Sequence, residues 1–123
     1  MIDFDTFGGV YPAMCTPFHD DGSIDFETLR ADAQRLESAG VDGLVPMGST
    51  GESATVSHDE HIEVIDAVID AVDVPVIAGS GSNNTAEALS LSQRAAGAGA
   101  DALLLISPYY NKPEQHGFVE HYE

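Results

Sequence analysis

Short apolar runs alternate with amphipathic ones along this chain. Val10 to Cys15 reads as a strand, and "HDDGSID" as the turn after it. Phe26, Leu29, Ala33 and Leu36 then recur at helical spacing until "SAG" stops the helix at Gly40. "VDGLVPM" is a second strand. Ser57 and Glu60 form an S-x-x-E capping box, and Ile62, Ile65, Ile69 and Val72 give the helix behind it an apolar stripe. "VPVIAG" is a third strand ending at Gly79. Asn84 and Glu87 open a further helix whose Ala88, Leu91 and Ala95 face inward. "ADALLLIS" is a fourth strand, "PYYNKP" its loop, and "EQHGFVEHYE" the opening of a fourth helix.

The strands are nearly continuous apolar runs, as in a sheet covered on both faces. Each returns to the next through a helix, so the sheet is parallel. "SAGVDGLV" and "GAGADALL" resemble each other and suggest one repeated βα unit. A doubly wound sheet often carries a Gly-rich phosphate turn after its first strand. "CTPFHDDG" is not one. The chemically unusual loops GSTGES, GSGSNN and PYYNKP follow strands two, three and four, and would share one rim. That arrangement favours a (β/α)8 (TIM) barrel, which needs about 250 residues. The expectation is an α/β fold: one partial barrel domain over residues 1–123, about four βα units, with its C-terminal half absent and strands one and four left as open edges.

Charge adds a second constraint. Asp and Glu total 21 against 4 Lys plus Arg, a formal net charge of −17. Nucleic acid and anionic membranes are poor partners for such a surface. The acids are spread through periodic segments and not gathered in a tail. Adaptation to a salt-rich cytoplasm explains this, since screening shrinks self-repulsion. An ordinary acidic enzyme is the alternative. "MIDFDTFGGV" lacks the character of a signal peptide, and no apolar run is long enough to span a bilayer. A cytoplasmic protein is expected.

Candidate chemistry concentrates in "GSTGESATVSHDEH". Gly48 and Gly51 would allow a sharp turn at positive φ. Ser49 and Thr50 would offer hydroxyls and backbone N–H groups to a carboxylate or oxyanion. The same loop could merely cap the next helix. His58 and His61 lack metal-site spacing, so no metal is expected and they read as polar first-turn residues. Tyr109 and Tyr110 are adjacent and must point differently, one packing and the other presenting a phenol able to shuttle protons; two amphipathic rings at an interface would look the same. Cys15 reads as a buried small apolar residue. Lys112, the single lysine, sits in a polar loop with nothing evident to desolvate it, and does not read as a nucleophile.

"GSTGESATVSHDEH", "VPVIAGSGSNNTAEA" and "SPYYNKP", in this order, resemble the dihydrodipicolinate synthase/N-acetylneuraminate lyase family, with the closer likeness to the synthases. The resemblance implies a pyruvate-dependent class I aldolase on a (β/α)8 barrel, without cofactor. Its substrates would be pyruvate and aspartate semialdehyde, on the route to diaminopimelate and lysine. It implies that Thr50, with Gly48 and Gly51, holds the pyruvate carboxylate. Ser49, where many synthases carry threonine, and Tyr110, entering from an adjacent subunit of a homotetramer, would form a proton relay. Ser53, Ala54, His58, His61, Asn83, Glu87 and Tyr109 match an inhibitory lysine site, with Glu87 meeting the ammonium group. The family's Schiff-base lysine and central relay tyrosine would fall beyond Glu123. Without an imine the pyruvate carbanion has no electron sink, so the chain alone should be inactive. A 2-keto-3-deoxy sugar acid aldolase would share the loop and the pyruvate half-reaction. A non-catalytic, lysine-binding half-barrel is the alternative of a different class.

Overall fold

The computed structural model describes residues 7–123. The N-terminal stretch weighed above as a signal sequence lies largely outside them. The described elements are α1 (Phe26–Ser38), α2 (His58–Ile69), β1 (Ile77–Gly79), α3 (Thr85–Ala98), β2 (Ala102–Leu104) and α4 (Gln115–Tyr122), with a 3₁₀ turn at Ser49–Gly51. β1 and β2 are parallel, with Ile77 opposite Ala102 and Gly79 opposite Leu104. Parallel bridges at Ala13–Val45 and Leu44–Val76 extend the order to all four expected strands, each beside its predecessor. An all-parallel sheet laid down in sequence order, with a helix (α1, α2 and α3) in each of the three crossovers, is the opening portion of a (β/α)8 barrel, as expected.

The first two strands are shorter ladders than their apolar runs predict. The hydrogen bonds show why. Val45 N–H donates to the Pro12 carbonyl at 3.0 Å and Gly79 N–H to the Pro46 carbonyl at 2.9 Å. Both prolines accept, but neither has an N–H to return, so the ladder is broken at those positions.

Helix ends follow local chemistry. The Asp25 side chain accepts the Thr28 N–H at 2.9 Å and opens α1. At α2, Ser57 N–H donates to Glu60 Oε2 at 2.8 Å, and Glu60 N–H to Ser57 Oγ at 3.3 Å, completing the expected capping box. The Ser57 N–H and hydroxyl hold the Glu60 carboxyl below its usual range. Asn84 caps α3 by accepting the Ala86 N–H at 3.1 Å. Glu87 was expected to share that duty; its carboxylate turns elsewhere, as described below.

One apolar cluster, centred on Leu29, Leu44, Met47, Ile65, Val68, Val76 and Ala78, fills the space between the strands and α1 to α3. The α2 stripe is rotated from its expected position. His61, Val64, Ile65, Ala67 and Val68 are buried, while Ile62, Ile69 and Val72 are half-buried. Ala88, Leu91 and Ala95 are buried as expected. Cys15 is a correction: it is exposed. Met14 and Thr16 on either side are buried, and strand alternation turns Cys15 to the face that no helix covers. Leu103 to Ile106 and Val10 are exposed too, at the two open edges. Among the described residues, no helix is long and apolar enough to cross a membrane.

Candidate functional site

The 3₁₀ turn at Ser49–Gly51 caps the end of the second strand. Gly51 N–H donates to the Gly48 carbonyl at 3.0 Å and Glu52 N–H to the Ser49 carbonyl at 3.1 Å. The first N–H groups of any helical turn, here those of Ser49 and Thr50, have no partner within it. Positive φ was expected at Gly48 and Gly51. It falls instead on the flanking residues, Met47 at 57° and Glu52 at 58°. Gly51 sits in a tight space, since a Cβ there would lie 3.2 Å from the Met14 carbonyl and 3.3 Å from Thr16 Oγ1. Nothing in the structure requires glycine at position 48.

Thr16 was not foreseen as a site residue. It is buried, and its hydroxyl donates to the Gly51 carbonyl at 2.7 Å, tying the turn to the first strand. A hydroxyl just after an apolar strand, in "CTP", was the available signal.

Beside the turn lies a cavity of about 660 Å³. Gly48, Ser49, Ser53, Ala54, His58, His61, Glu87 and Tyr109 all line it. The residues assigned by resemblance to two separate duties thus meet around one space. Thr50, Gly51, Asn83 and Tyr110 do not line it; Thr50 and Tyr110 are exposed. The floor is apolar, from Met47, Leu91, Leu104, Leu105 and Ile106. Such a pocket, with few convergent polar groups, suits a small polar metabolite.

The polar wall is organised around Glu87. Its Oε2 accepts from the Ser82 hydroxyl at 2.6 Å, and its Oε1 lies 3.2 Å from His58 Nε2. Ser82 was missed by sequence reasoning. It also accepts the Asn84 N–H at 3.1 Å, so one serine fixes both the carboxylate and the start of α3. The two histidines differ. His58 is exposed and faces Glu87, whereas His61 is buried and its Nε2–H donates to the Gly79 carbonyl at 2.7 Å. Burial holds the His61 imidazole below its ordinary value of 6.5, outweighing that hydrogen bond, and nearby His58 and Arg94 push the same way. Gly79 itself permits close strand approach, for a Cβ there would collide with the Met47 carbonyl.

The tyrosines diverge, as adjacency requires. Tyr109 lines the cavity, and Tyr110 is 92% exposed. Tyr110 and Lys112 have φ values of 66° and 47°. Asn83 reaches across to this loop, its Nδ2 donating to Asn111 Oδ1 at 3.3 Å. α4 packs back on the same rim, with Thr85 Oγ1 and His121 Nδ1 2.8 Å apart and Ser107 Oγ and Tyr122 Oη 2.9 Å apart.

Known proteins resemble this arrangement throughout its length. A 4-hydroxy-tetrahydrodipicolinate synthase of Haloarcula marismortui is 86% identical over 117 residues, which are 94% of this chain and 38% of that protein. The crystal structure of the Cyanidioschyzon merolae enzyme with lysine bound superposes with a TM-score of 0.92 at 40% identity, covering 95% of this chain and 41% of that one. The chloride-inhibited dihydrodipicolinate synthase of Acinetobacter baumannii, complexed with pyruvate, gives a TM-score of 0.90 at 41% identity, covering 93% of this chain and 40% of that one. The chain therefore spans about two fifths of the length of the relatives it matches. The sequence profile of the dihydrodipicolinate synthetase family matches residues 6–123, and the chain belongs to that family.

Proposed function

We propose that this chain is the N-terminal part of a 4-hydroxy-tetrahydrodipicolinate synthase, a lyase that joins pyruvate to aspartate semialdehyde on the route to diaminopimelate and lysine. One observation carries the reading: a single cavity is shared by Gly48 and Ser49 of the small-residue turn and by His58, Glu87 and Tyr109. The name of the Haloarcula relative and the pyruvate held by the Acinetobacter enzyme support it.

In this reading Gly48, Thr50 and Gly51 form the carboxylate-binding loop. A turn with free leading N–H groups and a hydroxyl is a small anion concavity. Ser49 and Tyr110 pass protons, because a hydroxyl both donates and accepts. Tyr110 stands 92% exposed, which suits insertion into a second copy within a homotetramer. Ser53, Ala54, His58, His61, Asn83, Glu87 and Tyr109 form an inhibitory lysine site, with the Glu87 carboxylate meeting the ammonium group. The lysine-bound Cyanidioschyzon enzyme supports this assignment. The imine-forming lysine lies outside the 123 residues, so they bind but do not turn over. The net charge of −17 suits work at high salt.

The test is turnover of pyruvate with aspartate semialdehyde by the complete enzyme that carries these residues. Turnover with glyceraldehyde in its place would move the protein to the 2-keto-3-deoxy sugar acid aldolases. Lysine binding by calorimetry without turnover would make it a non-catalytic regulator. Borohydride trapping of pyruvate on the 123-residue chain should give no adduct; an adduct on Lys112 would overturn the division of labour.

A further inference from the structure

The loop after β2 contains a turn that a tyrosine ordinarily avoids. Asn111 N–H donates to the Tyr109 carbonyl at 2.7 Å, closing a three-residue turn around Tyr110 at φ 66°. A left-handed backbone brings Cβ against the carbonyl oxygen. A γ-turn with positive φ at its centre is the rare and strained kind. Burial does not offset this, since the Tyr110 ring is 92% exposed. An unrestrained loop would relax to negative φ and lay the ring down.

A carboxamide pair opposes that relaxation. Asn111 Nδ2 donates to the Asn83 carbonyl at 3.1 Å, and Asn83 Nδ2 donates to Asn111 Oδ1 at 3.3 Å. Asn83 Nδ2 also lies 3.4 Å from the Tyr109 carbonyl, on the other side of the turn. The anchor is itself held, because the next residue, Asn84, caps α3 and donates its N–H to Ser82 Oγ. Asn111 uses both ends of its amide. An aspartate would keep the acceptor, lose the donor, and set a carboxylate against the Asn83 carbonyl. Alanine would keep neither.

We propose that Asn111 is a positioning residue whose carboxamide ties the loop to Asn83 and so holds Tyr110 in its left-handed, outward-facing turn. The catalytic consequence rests on the proton-relay reading of Tyr110 given above; the conformational claim does not.

The first experiment is nuclear magnetic resonance on the complete enzyme, selectively labelled at tyrosine. The intraresidue HN–Hα contact of Tyr110, short only at positive φ, should be strong in the parent. It should be lost in Asn111→Ala and weakened in Asn111→Asp. An unchanged contact in Asn111→Ala overturns the proposal. The second is a thermal double-mutant cycle with Tyr110→Gly, since glycine adopts φ 66° without strain. Asn111→Ala should lower Tm more in the Tyr110→Gly background than in the parent, where releasing the clamp also releases strain. Equal shifts in the two backgrounds overturn the proposal as well. In the complete enzyme, Asn111→Ala should lower kcat about 10- to 100-fold at unchanged KM for pyruvate. If Tyr110→Phe leaves kcat intact, the relay reading falls while the clamp, read by the first two measurements, still stands.

Discussion

The two ends of the strands solve the same geometric problem differently. At the N-terminal ends, left-handed backbone is carried by glycine: Gly9 at φ 113°, Gly40 at 87° and Gly99 at 102°. At the C-terminal ends glycine carries it at Gly22, φ 87°, but Met47, Glu52, Tyr110 and Lys112 carry it as well. Glycine adopts this conformation at no steric cost, whereas each side-chain-bearing residue is strained by about 1–2 kcal/mol. At the N-terminal end carboxylates also tie down the backbone of distant segments. Asp42 accepts the Val10 N–H at 2.7 Å, Asp101 the Val76 N–H at 2.9 Å, and Glu37 the Asp73 N–H at 2.7 Å. On the C-terminal rim Asp25 and Glu60 bond the backbone only within their own helix caps. There the Glu87 carboxylate is held by a serine side chain and faces the cavity. One end is relaxed and self-satisfied; the other keeps strain and leaves polar groups directed at open space. Strain of this kind persists where surrounding structure over-determines it, and it gathers at functional sites.

The contrast can be broken most severely through Ser49. Ser49→Ala in the complete enzyme should lower kcat by about 10²- to 10⁴-fold, the range for loss of a proton-transfer group, with Tm unmoved. A fall in Tm without a fall in kcat would place Ser49 with the structural end. Asp101→Ala is the mirror experiment. It orphans the partly buried Val76 N–H and should cost about 1–3 kcal/mol in denaturant unfolding, with lysine affinity unchanged. Glycine exchanges give opposite signs at the two ends. Gly40→Ala should destabilise by about 1–2 kcal/mol, and Glu52→Gly should stabilise by up to about 1 kcal/mol after the unfolded-state entropy of glycine is subtracted. Equal signs would erase the distinction.

Two smaller effects sharpen it. His61 is held below its ordinary value of 6.5, so the folded state binds fewer protons than the unfolded state in that window. Stability should be full above about 6.5 and should fall as pH drops toward the lowered folded value. A His61→Gln variant should show a flatter pH profile over that window, read by melting temperature. Stability should also rise with KCl from about 0.1 M to about 1 M, as the screening length shortens from about 10 Å to about 3 Å. A flat response would mean that the net charge of −17 is incidental.

Particular residues mark what could be read in advance. Helices were legible because their signals are local: Ser57 and Glu60 lie three apart and bond each other, and Asn84 bonds its own second neighbour. Strand positions were legible from apolar runs, but ladder length was not, because Pro12 and Pro46 act through donors missing toward a neighbouring strand. Cys15 was misplaced because an apolar run covered on both sides hides which face each residue takes. Thr16 and Ser82 escaped notice because their value lies in partners 35 and 5 residues away.

By itself the sequence determined the βα alternation, the helix caps, the acidic surface and the family, through periodicity, short-range hydrogen-bond chemistry and three motifs in order. Tertiary structure alone decided that Ser49, His58, Glu87 and Tyr109 share one cavity, that His61 is committed to Gly79 while His58 faces Glu87, and that left-handed strain among the described residues sits on one rim. The physical reason is range. A cap or an apolar stripe is complete within a few residues, whereas a cavity wall or a strained turn exists only when distant strands are in register and hold it.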